Sequence, residues 1–321
     1  MKHKIVILDG HGLNPGDFSW DAIAALGDLT VYERTAPEDV VARCNGAQLV
    51  LTNKVVIDAS IMAQLATLRF IGVLATGYNT IDIDAARQRG IVVSNIPAYS
   101  TPSVAQHTFA LLLAVTNRVE HYTRLNCQQG KWASNADFCY WDTPLTELDG
   151  KRFGIYGMGR IGARVAQIAM ALGMEVVCLS RKPQDALPQG VKKVADEEFW
   201  TTCDIVTLHC PLTPETTEMV SAQVLQRMKH GAILLNTSRG GVINEADVAA
   251  ALRSGQLAAY AADVLTVEPP TADNPLLSAP HVFLTPHIAW ATTEARQRLM
   301  DILVENVKCF LAGTPQNVVN G

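Results

Sequence analysis

Short apolar runs alternate along this chain with stretches whose apolar positions recur at helical spacing. In the first third the runs fall at residues 5–8, 49–52, 70–73 and 91–94, and helical patterns lie between them, as at 59–66 and 83–89. The middle repeats this grammar more strongly, with apolar runs at 153–156, 176–179, 205–209, 232–236, 258–263 and 282–284. Runs of three to six residues with no polar alternation read as strands covered on both faces, which is the condition of a parallel sheet. Strands alternating with helices imply βαβ units joined by right-handed crossovers. The fold class expected is therefore α/β, with two doubly wound parallel-sheet domains, the second built from six strand units. A ligand cleft is expected between them.

Two segments fix the expected domain limits. Pro102-Ser103-Val104-Ala105-Gln106-His107 opens a helix, and Phe109-Ala110-Leu111-Leu112-Leu113-Ala114-Val115 is apolar on every face. Such a helix must be buried by another domain or a second subunit. Near the end, Leu299, Ile302, Leu303, Val307 and Phe310 mark an amphipathic helix over 292–311, expected to pack back on the first domain. The reading is a first domain of 1–99 plus 291–321 and a second of 100–290, the latter including a bridging helix and dimerisation arm over 100–145.

Composition narrows the class. The chain has 321 residues, 48% hydrophobic and 18% charged, enough to fill two cores and too little charge for disorder. A net charge of −5 with no Lys/Arg-rich run argues against a nucleic-acid partner. Seven cysteines, an odd number without a C-x-x-C pair, suit reduced thiols in a cytoplasmic protein. The opening Met1-Lys2-His3-Lys4-Ile5-Val6-Ile7-Leu8-Asp9 has too short an apolar run for a signal peptide and reads as a buried strand. The apolar stretch 109–115 is too short to span a membrane, so no membrane association is expected. No His/Cys/Asp cluster has metal-ligand spacing, and no metal is expected.

Gly157-Met158-Gly159-Arg160-Ile161-Gly162 is a G-x-G-x-x-G that follows an apolar run and opens a helix with apolar residues at Ile161, Val165, Ile168, Ala169 and Leu172. In that context Gly157 serves the tight turn, Gly159 the approach of backbone to a pyrophosphate, and Gly162 close helix–strand packing. The phosphates would meet free N–H groups at the helix N-terminus. A second glycine cluster, Asp9-Gly10-His11-Gly12, contains no third glycine in place and reads as a loop. After the next strand, where an NAD site usually carries an acid for the ribose 2′-hydroxyl, this chain has Ser180-Arg181-Lys182. A 2′-phosphate is repelled by a carboxylate and matched by a guanidinium, so NADP(H) is favoured over NAD(H).

Three residues that each follow an apolar run are candidates for chemistry: Arg239, Glu268 and His287. Arg239 offers a planar fork for a carboxylate and a carbonyl. His287 is a general acid or base, and Glu268 a partner that fixes its tautomer. His107, on the bridging helix, reads as an interface or core group rather than a second acid.

The pieces quoted, with His209-Cys210-Pro211-Leu212-Thr213, Asn236-Thr237-Ser238-Arg239-Gly240, Asp263-Val264 and Pro286-His287-Ile288-Ala289, resemble the D-isomer-specific 2-hydroxyacid dehydrogenases over essentially the whole chain. Ala75-Thr76-Gly77-Tyr78-Asn79 and Phe138-Cys139-Tyr140-Trp141-Asp142 resemble the branch of glycerate dehydrogenases and hydroxypyruvate/glyoxylate reductases. The resemblance implies a Rossmann-type coenzyme domain and a flavodoxin-like substrate domain. It implies cofactor contacts from Val104, His209, Cys210, Pro211, Thr216, Thr237, Ser238, Asp263 and Trp290. Substrate contacts are implied for Arg239 and His287 and for the backbone of Leu74, Ala75, Thr76 and Gly77. Trp141 is a further candidate to lean into a site, a neighbouring subunit's included. The partner expected is a small 2-keto or 2-hydroxy acid, and the assembly a homodimer. Phosphoglycerate or lactate dehydrogenases of the same family, and a non-enzymatic dinucleotide sensor on the same scaffold, are the rival readings. A phosphorylated substrate would want cations in residues 74–82, and there are none.

Overall fold

The computed structural model describes residues 2–321. Its chain divides into two units: residues up to Ser100 together with Ala291–Gly321, and Thr101–Trp290. In the first, β1 (Lys4–Ile7), β2 (Asp28–Val31), β3 (Leu49–Thr52), β4 (Phe70–Val73) and β5 (Val92–Ser94) form a parallel sheet of order β2-β1-β3-β4-β5. This is the flavodoxin-like order. The central strands β3 and β4 are buried at every residue, which is why they stand out as apolar runs. The Thr293–Leu311 helix packs on β4, with Leu299, Leu303 and Val307 fully buried.

The second unit holds β6 (Arg152–Tyr156), β7 (Glu175–Leu179), β8 (Lys192–Lys193), β9 (Ile205–Leu208), β10 (Ala232–Asn236), β11 (Leu257–Ala262) and β12 (Val282–Leu284). All neighbours are parallel, in the order β12-β11-β10-β9-β6-β7-β8, a doubly wound arrangement that reverses between β6 and β9. Every strand thus ends on the same edge, with Tyr156 level with Leu208 and Asn236 level with Ala262. Helices cover both faces, as Arg160–Ala171 and Glu245–Ser254 illustrate. The latter starts where the Asn244 side chain accepts from the Asp247 N–H at 3.0 Å, and stops at left-handed Gly255.

Both sheets have one strand more than the apolar pattern predicts. The additions, β2 and β8, are edge strands: Asp28 and Val31 are exposed, and both residues of β8 are exposed lysines. An edge strand with one covered side needs no apolar run. The expectation that another domain or subunit must bury the Thr101–Asn117 helix also needs correction. Ala105, Phe109, Leu111, Leu112 and Val115 pack into their own unit's core with Phe153, Ile155, Val165 and Ala169. Only a stripe that includes Ala110 and Leu113 stays exposed.

Candidate active site

The carboxyl edge of the seven-stranded sheet carries two sets of residues. On one side of the reversal lies the glycine turn between β6 and the Arg160–Ala171 helix. Gly157 has φ +94°, and a Cβ there would stand 2.7 Å from the His209 carbonyl oxygen. A Cβ at Gly162 would run into the Gly157 carbonyl oxygen, so that glycine lets helix and turn close up. A Cβ at Gly159 would meet nothing within 4 Å. Open space at the helix N-terminus, framed by two glycines where a Cβ would press on backbone, fits a pyrophosphate cradle. Arg160, exposed, and Ile161, half-buried, open the helix behind it.

After β7, Ser180 is half-buried while Arg181 and Lys182 are exposed. The Ser180 hydroxyl accepts from the Lys182 N–H at 3.2 Å, and Lys193 Nζ, from β8, donates to the Lys182 carbonyl at 2.8 Å. Lys193 therefore adds a third cation to the expected pair, and only strand pairing between β7 and β8 reveals it.

The β9 turn is tightly built. His209 Nε2 lies 3.0 Å from the Thr207 hydroxyl, and desolvation pushes its imidazole down to about 3, so the ring is neutral. Burial pushes the Cys210 thiol up to about 11 and its side chain sits in the apolar core, so any contact it makes with a cofactor falls to its backbone. Pro211 is exposed, and Thr216 spends its hydroxyl on the turn itself, donating to the Pro211 carbonyl at 2.7 Å.

On the other side, Arg239, Glu268 and His287 follow β10, β11 and β12, three adjacent parallel strands. The β10 turn is shaped by buried Asn236, whose Oδ1 accepts from the Ser238 N–H at 3.0 Å and hydroxyl at 2.8 Å, and whose Nδ2 donates to the Arg239 carbonyl at 2.9 Å. Thr237 is buried, with its hydroxyl 3.1 Å from that of Thr108. The turn leaves Arg239 exposed, its Nη1 donating to the Ser238 carbonyl at 2.7 Å. A Cβ on the next residue, Gly240, would overlap the Leu265 backbone, so this glycine sets how closely the Arg239 and Glu268 loops approach.

Glu268 bridges its own loop and the histidine. Its Oε1 accepts from the Leu265 N–H at 3.0 Å, and its Oε2 is 2.6 Å from His287 Nδ1. That contact places the proton on Nδ1 and leaves Nε2 for chemistry. His287 itself has φ +56°, left-handed and costly for a residue with a Cβ. Asp263, 2% exposed, holds it there: its carbonyl accepts from the His287 N–H at 2.8 Å, and its carboxylate accepts from the Ile288 and Ala289 N–H groups at 2.8 Å each. The structure thus gives the Asp263 side chain to the histidine turn. Glu245 was not visible as a contributor; it accepts from the Thr266 N–H and from Asn274 Nδ2, each at 2.8 Å, and so braces the Glu268 loop. Val104 is buried and Trp290 half-buried at the end of the unit.

In the first unit, the Leu74–Gly77 expectation needs one correction. The Leu74 N–H already donates to the Thr52 carbonyl at 2.8 Å, because β4 pairing with β3 runs one residue past the strand. The N–H groups of Ala75, Thr76 and Gly77 meet no acceptor among the described residues. Among those residues no group of three or more His, Cys, Asp or Glu side chains is arranged to hold a metal, and no helix is long and apolar enough to cross a membrane.

A doubly wound sheet whose edge offers a pyrophosphate cradle beside a carboxylate-held histidine and an exposed arginine defines a nicotinamide-dependent oxidoreductase. Residues 109–289 match the model of the D-isomer specific 2-hydroxyacid dehydrogenase, NAD binding domain. Hydroxypyruvate reductase of Blautia hydrogenotrophica is 47% identical over 321 residues, spanning 99% of both chains. Glycerate dehydrogenase of Methylorubrum extorquens is 40% identical over 324 residues, again 99% of each. D-Lactate dehydrogenase from Aquifex aeolicus, solved with NAD and lactic acid, superposes with a TM-score of 0.84 at 27% identity, over 99% of both chains. The chain belongs to the D-isomer specific 2-hydroxyacid dehydrogenases.

Proposed function

We propose that this enzyme reduces hydroxypyruvate and glyoxylate to D-glycerate and glycolate, with NADP(H) preferred over NAD(H). The observation that carries the chemistry is the 2.6 Å contact between His287 Nδ1 and Glu268, beside the strand that delivers Arg239. The substrate assignment rests on the two relatives named for hydroxypyruvate and glycerate. The cofactor preference rests on Arg181, Lys182 and Lys193 around a strand end with no carboxylate.

When bound, the reduced nicotinamide supplies the hydride for C2. Arg239 pairs with the substrate carboxylate and the 2-oxo oxygen, orienting the carbonyl and stabilising the charge that grows on it. His287 Nε2 gives that oxygen its proton in reduction and takes it back in oxidation. Glu268 keeps the imidazole in the tautomer this requires. The free N–H groups of Ala75, Thr76 and Gly77 are assigned to the substrate carboxylate, and Gly157, Gly159, Arg160, Ile161 and Gly162 to the pyrophosphate. The enzyme works as a cytoplasmic homodimer: Leu113, Val119, Trp132, Phe138, Trp141 and Leu145 are 40–88% exposed, an apolar surface along one segment that a second copy would cover.

The test is the initial rate of NADPH and NADH oxidation with hydroxypyruvate, glyoxylate and pyruvate. Fast NADPH oxidation with hydroxypyruvate is expected. Faster turnover with NADH removes the cofactor preference alone, and no turnover with any keto acid leaves the dinucleotide-sensor reading.

A further inference from the structure

His107 lies on the buried face of the Thr101–Asn117 helix, with no place in the chemistry described above. Its Nε2 is 2.8 Å from the Thr285 hydroxyl and 3.6 Å from Asp263 Oδ1. The Thr285 hydroxyl is in turn 2.6 Å from Asp263 Oδ1. A hydroxyl has one proton to give, and the carboxylate can only accept it. Thr285 therefore donates to Asp263 and accepts from His107, which places the His107 proton on Nε2. The chain has one direction: imidazole N–H to hydroxyl, hydroxyl to carboxylate.

The far end of this chain is the His287 turn. Asp263 accepts there from three backbone N–H groups, two on its carboxylate and one on its carbonyl, and these fix a left-handed residue that would otherwise relax. Asp263 is 2% exposed, and among the described residues His107 is the one basic side chain within 4.0 Å of it. A buried carboxylate without a strong cationic partner depends on the geometry of its hydrogen bonds. One helical turn before His107, the Ser103 hydroxyl donates to the Ala289 carbonyl at 2.5 Å, so the same helix face grips the loop on both sides of His287.

We propose that His107 is a positioning residue for His287, acting through Thr285 and Asp263 to hold the catalytic turn in its left-handed conformation. The effect on turnover rests on the function proposed above; the effect on the turn does not. His107→Leu removes the donor, His107→Gln keeps an N–H of similar reach, and Thr285→Val breaks the chain one step later. His107→Leu should lower kcat for hydroxypyruvate about tenfold through misplacement of the acid, while Kd for NADPH, read by protein fluorescence, stays at the wild-type value. His107→Gln should recover most of that loss. Thr285→Val should resemble His107→Leu, and the double variant should be no worse than either single one.

Amide exchange of Ile288 and Ala289 reads the turn without any turnover, and should quicken in His107→Leu and Thr285→Val but not in His107→Gln. Wild-type kcat and unchanged exchange in His107→Leu overturn the proposal, as do additive losses in the double variant or a glutamine no better than leucine. If His107→Leu does not fold, Thr285→Val with wild-type kcat and exchange overturns it equally. Should wild-type protein turn over no keto acid, the proposed function fails and the exchange rates alone decide this inference.

Discussion

The two halves of the seven-stranded sheet solve different problems with different materials. The half before the reversal presents backbone: a glycine at φ +94°, a glycine against a carbonyl, and open space where a third side chain is missing. The half after it presents side chains on supports that other side chains shape: Arg239 on a turn built by Asn236, His287 against Glu268, the histidine turn on Asp263. A pyrophosphate needs many N–H groups in a short arc, which one local segment can supply. Proton transfer and carboxylate clamping need a few side chains at fixed mutual positions, which only adjacent strand ends can bring together.

If the halves are this distinct, they can be broken separately. Arg239→Ala should lower kcat/KM for hydroxypyruvate about 10³-fold or more and leave NADPH binding and Tm unchanged, since the side chain is exposed. Cofactor affinity that falls with turnover would join the two halves and end the comparison. Gly157→Ala should do the reverse. Its Cβ meets the His209 carbonyl in a left-handed backbone, so cofactor affinity should weaken about a hundredfold with stability down by about 1–3 kcal/mol. Titration with NADPH followed by thermal melts checks both parts.

Ser180→Asp sharpens the comparison within the binding half. A carboxylate there should shift the NADPH to NADH ratio of kcat/KM about tenfold towards NADH, and an unmoved ratio would place Ser180 away from the ribose. The smallest effect concerns His209, next to the reversal. Its folded pKa lies below the ordinary 6.5, so the unfolded chain takes up the proton first as pH falls. The stability from keeping it neutral is complete above pH 6.5 and drains away below it. Tm should therefore decline between pH 7 and pH 5, above the range where carboxylates protonate, and decline less in His209→Gln. Equal slopes in the two proteins would show that this ring contributes nothing to that decline.

The sequence reveals these halves unevenly. Central strands such as β3, β4 and β10 are legible because both faces are buried and leave an unbroken apolar run. The glycine turn is legible because its geometry is local. Arg239, Glu268 and His287 can be found because each follows an apolar run. The edge strands β2 and β8 are not legible, since Asp28 and Lys192–Lys193 carry no apolar signal, whereas the edge strands β5 and β12 keep a short apolar run. Nor are the supports: Asp263 reaches across to Ile288 and Ala289 on the next strand's loop, Glu245 reaches Thr266, and Lys193 joins Lys182 only through the pairing of β7 with β8. Each of these depends on which strands become neighbours, and periodicity does not carry that information. Leu74 shows the converse error, where a strand's pairing runs one residue too far and takes an N–H expected for the substrate.

The lysine pair that hides β8 from the apolar pattern has a further use. A parallel sheet ends in a row of unpaired backbone groups, and a flat apolar strand there would invite the next molecule to add its own strand. With Lys192 and Lys193 as the whole of that strand, both exposed, the outermost position is charged, two residues long and a poor template for edge-to-edge aggregation. Lys193, which donates to the Lys182 carbonyl, thus also helps keep the sheet from growing into its neighbours.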